Sequence, residues 1–109
     1  MISWNDFEKI DIRVGTVLDA VPFPKAKKPA YQLTIDFGDL GIKRSSAQIT
    51  ALYAAAELPG KQVIAVVNFP VKQIANFFSE CLVLGVYTGD GNVVLLQPGQ
   101  KVINGSRIG

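Results

Sequence analysis

The sequence predicts an all-β fold: a five-stranded barrel with one short helix between the third and fourth strands. Three observations predict it. Short apolar runs rich in β-branched residues recur along the chain, as in Val63–Val67, where stiff Val and Ile side chains suit a pleated surface. Turn dipeptides separate these runs: Pro59-Gly60, Asp90-Gly91, Pro98-Gly99 and Asn104-Gly105. No regular alternation of strand and helix is present, so a parallel sheet is not indicated.

The elements follow in order. Ser3 is an N-cap candidate ahead of Trp4-Asn5-Asp6-Phe7-Glu8, so residues 1–9 are expected to form a short helical extension with Trp4 and Phe7 on one side. Ile10 to Val21 alternates apolar and polar residues, interrupted at Gly15, where the first strand is expected to coil. On it Arg13 points opposite Ile12 and Val14. A stiff loop with a cationic edge, Phe23-Pro24-Lys25-Ala26-Lys27-Lys28-Pro29, leads to the second strand, Tyr31–Phe37. Gly38–Gly41 turns the chain into the third, Ile42–Ala47, which carries Lys43 and Arg44. Gln48–Leu58 places Ile49, Leu52, Tyr53 and Ala56 at helical spacing before Pro59-Gly60, which predicts the single helix.

Val63–Val67 and Cys81–Val86 are the next strands, with Gly85 marking a bend in the latter. Between them lies an unusual insert from Asn68 to Glu80. It is too long for a tight hairpin and too apolar for an idle loop, and it holds Phe69, Lys72, Phe77, Phe78 and a Ser79-Glu80 pair. Such a segment reads as a presented site; the alternative is that its Phe residues cap the barrel end. Asn92–Leu96 pairs back across Asp90-Gly91, and residues 98–109 form a C-terminal extension. Three strands, a helix, then two or three strands is the order of an OB-fold five-stranded barrel. Ligands of that fold lie across its second and third strands, between the loop joining strands 1 and 2 and the loop joining strands 4 and 5. Here those three places hold the lysine loop, Lys43-Arg44 and the Phe-rich insert.

Composition narrows the function. The 109 residues fit one domain, taken as residues 1–109. No apolar segment is long enough to cross a bilayer and no signal peptide is visible, so a cytoplasmic protein without membrane insertion is expected. The chain has no His and one Cys, Cys81, in an apolar run. A buried reduced thiol is expected, with neither cofactor, metal site nor enzymatic activity. Net charge is +2, which does not by itself indicate a polyanion binder, and the 49% hydrophobic content points to an exposed patch or a homodimer interface.

Several segments together resemble the CsaA family: Asp11–Gly15, Pro29–Tyr31, Ile35–Gly38, Lys43–Thr50, Val66–Pro70 and Ser79-Glu80. SSAQIT and VVNFP followed by SE carry the specificity, whereas DIRVG marks only the wider tRNA-binding-domain superfamily, which includes the C-terminal domain of bacterial methionyl-tRNA synthetases. The resemblance implies an OB-fold homodimer with a chaperone role in protein export, binding unfolded or precursor polypeptides, with tRNA binding on the same face as the alternative. Carried over by motif, the RNA-contacting positions are Lys43 or Arg44, Asn68 and Ser79. The tRNA-binding relatives usually have Gly and Met after that Ser, where this chain has Glu80-Cys81; a carboxylate there would repel phosphate. The expected binding residues are therefore Arg13, Tyr31, Lys43, Arg44, Asn68, Phe69, Lys72, Phe77, Phe78, Ser79 and Glu80. Tyr31, Phe69 and Phe77 are expected as stacking faces.

Overall fold

The computed structural model describes residues 1–109. Helix α1 (Trp4–Glu8) begins at a capping box in which Ser3 and Asp6 exchange side-chain and backbone hydrogen bonds. The Ser3 amide, and then its hydroxyl, hold the Asp6 carboxyl below the usual carboxylate range. The strands that follow are β1 (Ile12–Pro22), β2 (Tyr31–Asp36), β3 (Ile42–Ala47), β4 (Gln62–Val66), β5 (Lys72–Ile74), β6 (Phe77–Ser79), β7 (Leu82–Val83), β8 (Gly85–Tyr87) and β9 (Val93–Leu95). The main sheet is antiparallel with strand order β3-β2-β1-β4-β7. Two hairpins, β5 with β6 and β8 with β9, complete the fold. Together these elements form an almost closed five-stranded OB-type barrel.

Period-two patterning determines which side chains fill the barrel. Tyr31, Leu33 and Ile35 on β2, Ser45 and Ala47 on β3, and Val63 and Ala65 on β4 are buried, with their neighbours more exposed. Gly15 does not bend β1. The register shift falls between Val17 and Asp19, so the extra residue is Leu18. Gly15 is small because a Cβ there would lie 2.7 Å from both Ile35 and the Phe37 ring. The break between β7 and β8 falls at Leu84, next to Gly85, near which a bend is expected; Gly85 itself opens β8 and pairs with Leu95.

The helix expected over Gln48–Leu58 is not formed. The segment is a turn near Thr50–Leu52 followed by one 3-10 turn, Ala55–Glu57. Ile49 and Leu58 are buried against the barrel, and Tyr53 packs on the same core. The Tyr31 hydroxyl donates to the Tyr53 carbonyl (2.7 Å), while the Leu95 amide donates to the Tyr53 hydroxyl (3.0 Å). A regular helix would engage that carbonyl with Glu57, and a stretch this short gains little from helix propagation. Plugging the barrel end therefore prevails over local propensity.

The C-terminal extension has a defined place. β1 pairs with β4 over Ile12–Thr16 and with β2 over Thr16–Pro22, so its first half has one edge that β2 does not reach. Residues 104–108 cover that edge, through Gly105 N–H to Val14 O (2.7 Å), Val14 N–H to Ser106 O (2.9 Å) and Ile108 N–H to Ile12 O (2.9 Å). The turn that allows this uses Gly105 at φ +90°.

Candidate ligand-binding site

The Phe-rich insert is a hairpin, not an irregular loop. Lys72 pairs with Ser79, Gln73 with Phe78 and Ile74 with Phe77. Consecutive residues of a strand point to opposite faces, so Phe77 and Phe78 must part company. Phe77 turns inward and is 2% exposed, forming a satellite core with Phe23 and Ala30; its ring centroid lies 5.4 Å from that of Phe23. Ile74 packs on the same cluster, as the capping alternative requires. Phe78 is 53% exposed and Phe69 55%. Tyr31 is buried in the main core with its hydroxyl engaged. Two of the three expected stacking faces, Tyr31 and Phe77, are thus core residues that no base or peptide can reach.

The adjacent cations separate for the same reason. Arg44 lies on the outer face of β3, its guanidinium 4.3 Å from the Phe77 centroid and its Nη2 donating to Gln32 Oε1 at 3.2 Å. These contacts fix the plane of an exposed guanidinium ahead of any ligand. Lys43 takes the opposite face and is half-buried. It lies close enough to Cys81 to act on that thiol, but does not join Arg44.

Two clefts flank the hairpin. One, about 280 Å³, is lined by Phe69, Pro70, Lys72, Ser79, Cys81 and Leu82. The other, about 630 Å³, runs between the β1–β2 loop and β5; Lys25, Lys27, Lys28 and Lys72 line it with Ser46 and Gln48, and no carboxylate does. Lys72 belongs to both. The first cleft includes Leu82, and the second includes Ser46, Gln48 and Gln73, none of them among the expected binding residues, although Ser46 and Gln48 belong to the SSAQIT motif. The run of lysines in the β1–β2 loop was the available signal for the second cleft.

Ser79 lines the apolar cleft, but the polar groups of the Ser79-Glu80 pair are spent on closing the barrel. Glu80 Oε1 accepts the Arg44 amide (3.0 Å), the Glu80 amide donates to Arg44 O (2.8 Å), and Ser79 Oγ accepts the Ser46 amide (3.2 Å). The Ser45 hydroxyl donates to Cys81 O at 2.9 Å. The outer edge of β3 is therefore capped by side chains and is not open to a further strand. Asn68 is committed as well. Its Oδ1 accepts the Asp11 amide (3.0 Å) and its Nδ2 donates to Lys9 O (2.8 Å), tying the end of β4 to the exit of α1. Arg13 is ion-paired with Asp11 and donates to Gly105 O (3.0 Å), which anchors the C-terminal segment.

Comparison with known proteins agrees with this geometry. Residues 12–107 match the family model described as "Putative tRNA binding domain". The crystal structure of the CsaA chaperone protein from Picrophilus torridus is 58% identical, with a TM-score of 0.93 and full coverage of both chains. That of the chaperone CsaA from Bacillus anthracis is 51% identical, with a TM-score of 0.95 over 100% of this chain and 99% of that one. This chain belongs to the CsaA family. A methionine–tRNA ligase from Porphyromonas gingivalis is 38% identical over 98% of the chain, which spans 15% of that enzyme's length.

In this CsaA-family chain, the motif positions carried over from RNA-binding relatives divide by role. Arg44 is exposed and preorganised, whereas Asn68 and Ser79 spend their polar atoms on the backbone of the barrel. Glu80 is held by the Arg44 amide, so its charge is partly occupied within the fold. Cys81 is buried, and desolvation pushes its thiol up to about 11. No helix of the chain is long and apolar enough to cross a membrane.

Proposed function

We propose that the chain is a cytoplasmic chaperone of the CsaA type, binding unfolded or precursor polypeptides on the face made by β3, the β5–β6 hairpin and the β1–β2 loop, in the service of protein export. The observation that carries this reading is the apolar cleft of Phe69, Pro70 and Leu82, with the Phe69 ring exposed at it, on a face edged by lysines. The naming of the two structural relatives as chaperones supports it. Binding requires no bond to be broken, and the raised Cys81 thiol supports a role without catalysis.

A second reading, tRNA binding, is favoured by the lysine-lined cleft and by the tRNA-binding-domain match. Paired variants separate the two. If polypeptide is the ligand, Phe69→Ala with Phe78→Ala abolishes suppression of aggregation of a model client, and Arg44→Gln with Lys27→Gln and Lys28→Gln has little effect in moderate salt. If RNA is the ligand, the charge variant lowers the slope of log affinity against log salt by about 0.7–0.9 for each phosphate it no longer neutralises. Folded variants that change neither activity would remove this face from consideration.

The proposal includes a homodimer. Trp4 is 80% exposed on α1, and Ile2 and Ile103 on the terminal segments are exposed as well. A specific interface covering such residues should bury roughly 1,200 Å² or more. Sedimentation equilibrium at micromolar concentration should report about twice the 11.8 kDa chain mass; a single-chain mass would count against the dimer.

A further inference from the structure

The two clefts share a wall, and that arrangement narrows the ligand beyond "polypeptide". Lys72 lines both, its cross-strand partner Ser79 lines the apolar one, and Ser79 accepts the amide of Ser46, which lines the lysine cleft. The two compartments therefore lie one or two inter-strand spacings apart, about 5–10 Å. An extended chain covers that distance in about two or three residues at roughly 3.3 Å each. The first compartment, about 280 Å³ and lined by Phe69, Pro70 and Leu82, is apolar and suits a single large aliphatic or aromatic side chain. The second presents Lys25, Lys27, Lys28 and Lys72 with no carboxylate among its lining residues.

Resting on the polypeptide reading above, we infer that the preferred ligand is a segment in which a large apolar side chain has carboxylates within two or three residues of it. The apolar group fills the cleft beside Phe69 and the carboxylates reach the lysine cleft past Lys72. Charge complementarity sets the direction of the preference, because a basic flank would meet four like charges. The capped edge of β3 means that recognition there runs through side chains and not through an added strand. Single-stranded RNA is a poorer fit, since successive bases need a run of stacking faces and the buried Phe77 and Tyr31 leave only Phe69 and Phe78 on the hairpin side.

Fluorescence anisotropy with short labelled peptides tests the inference on the intact protein. Three peptides carry the same Leu-Phe core flanked on both sides by glutamates, serines or lysines; a fourth has glutamates without the core. The glutamate-flanked peptide is expected to bind about tenfold more tightly than the serine-flanked one at about 50 mM salt, with the gap closing toward about 500 mM. Its advantage should fall to about unity in the Lys25→Gln, Lys28→Gln, Lys72→Gln variant, in which every replaced lysine is exposed. Equal binding of all three core peptides overturns the inference and leaves the polypeptide reading standing. Equal binding of the core-less acidic peptide overturns it as well, by showing that charge alone decides. If no peptide binds while a tRNA transcript does, the polypeptide reading itself fails and the inference falls with it.

Discussion

Phe77 and Phe78 are chemically identical neighbours whose replacement by Ala should have very unequal consequences for stability. Phe77 is almost fully buried against Phe23 and Ala30 and lies beneath the Arg44 guanidinium. Truncating a buried Phe costs about 3–5 kcal/mol. This satellite cluster is small and can partly collapse, which favours the lower end, about 3 kcal/mol. Loss of the exposed cation–π interaction adds about 0.5–1 kcal/mol. For a domain of this size the sum, about 3.5–4 kcal/mol, lowers Tm by roughly 15–25 °C. Phe78→Ala, on the outer face of the same hairpin, should stay within about 0.5 kcal/mol of the parent. Far-UV circular dichroism during thermal and urea unfolding, at one fixed protein concentration, measures both. Equal losses for the two variants, or a loss below about 1 kcal/mol for Phe77→Ala, would refute the inward and outward assignment.

Other substitutions probe the closure of the barrel and its interior. Glu80→Ala leaves the Arg44 amide without its acceptor and should cost about 1–2 kcal/mol, whereas Glu80→Gln keeps an oxygen in place and should cost less than about 1 kcal/mol; equal urea midpoints for the two would show that the acceptor does not matter. Gly15→Ala places a methyl 2.7 Å from Ile35 and Phe37 and should destabilise by about 1–3 kcal/mol, read as a lower urea midpoint with an unchanged slope. The Cys81 thiol is raised from 9.0 to about 11 by burial, so the neutral form is favoured in the folded state. Its contribution should be fully present below pH 9 and lost as pH rises through about 11, up to about 2–3 kcal/mol at 1.36 kcal/mol per pH unit. The alkaline loss of stability in the parent should exceed that in Cys81→Ala by this amount, and parallel curves would contradict it.

Much of this molecule is local information and was legible as such. Alternation along Tyr31–Phe37 and Val63–Val67, the Ser3 cap, and the glycine turns each follow from side-chain period or backbone freedom within a few residues. Their order along the chain was enough to specify an OB barrel, because few topologies accommodate it. The segment Gln48–Leu58 shows where that reasoning ends. Its helical spacing is real, but the hydrogen bonds made by Tyr53 to Tyr31 and Leu95 decide its backbone. Periodicity likewise requires Phe77 and Phe78 to face opposite ways, but not which one faces in. Pairing with Ile74 and the presence of Phe23 beneath settle that. The family resemblance marks Asn68 and Ser79 as ligand contacts, and Glu80 joins them as the next residue of the presented insert. Their partners are backbone groups of Asp11, Ser46 and Arg44, between 33 and 57 residues away. A polar side chain must satisfy its hydrogen bonds somewhere, and only the closed barrel decides whether the partner is a ligand or the protein's own backbone.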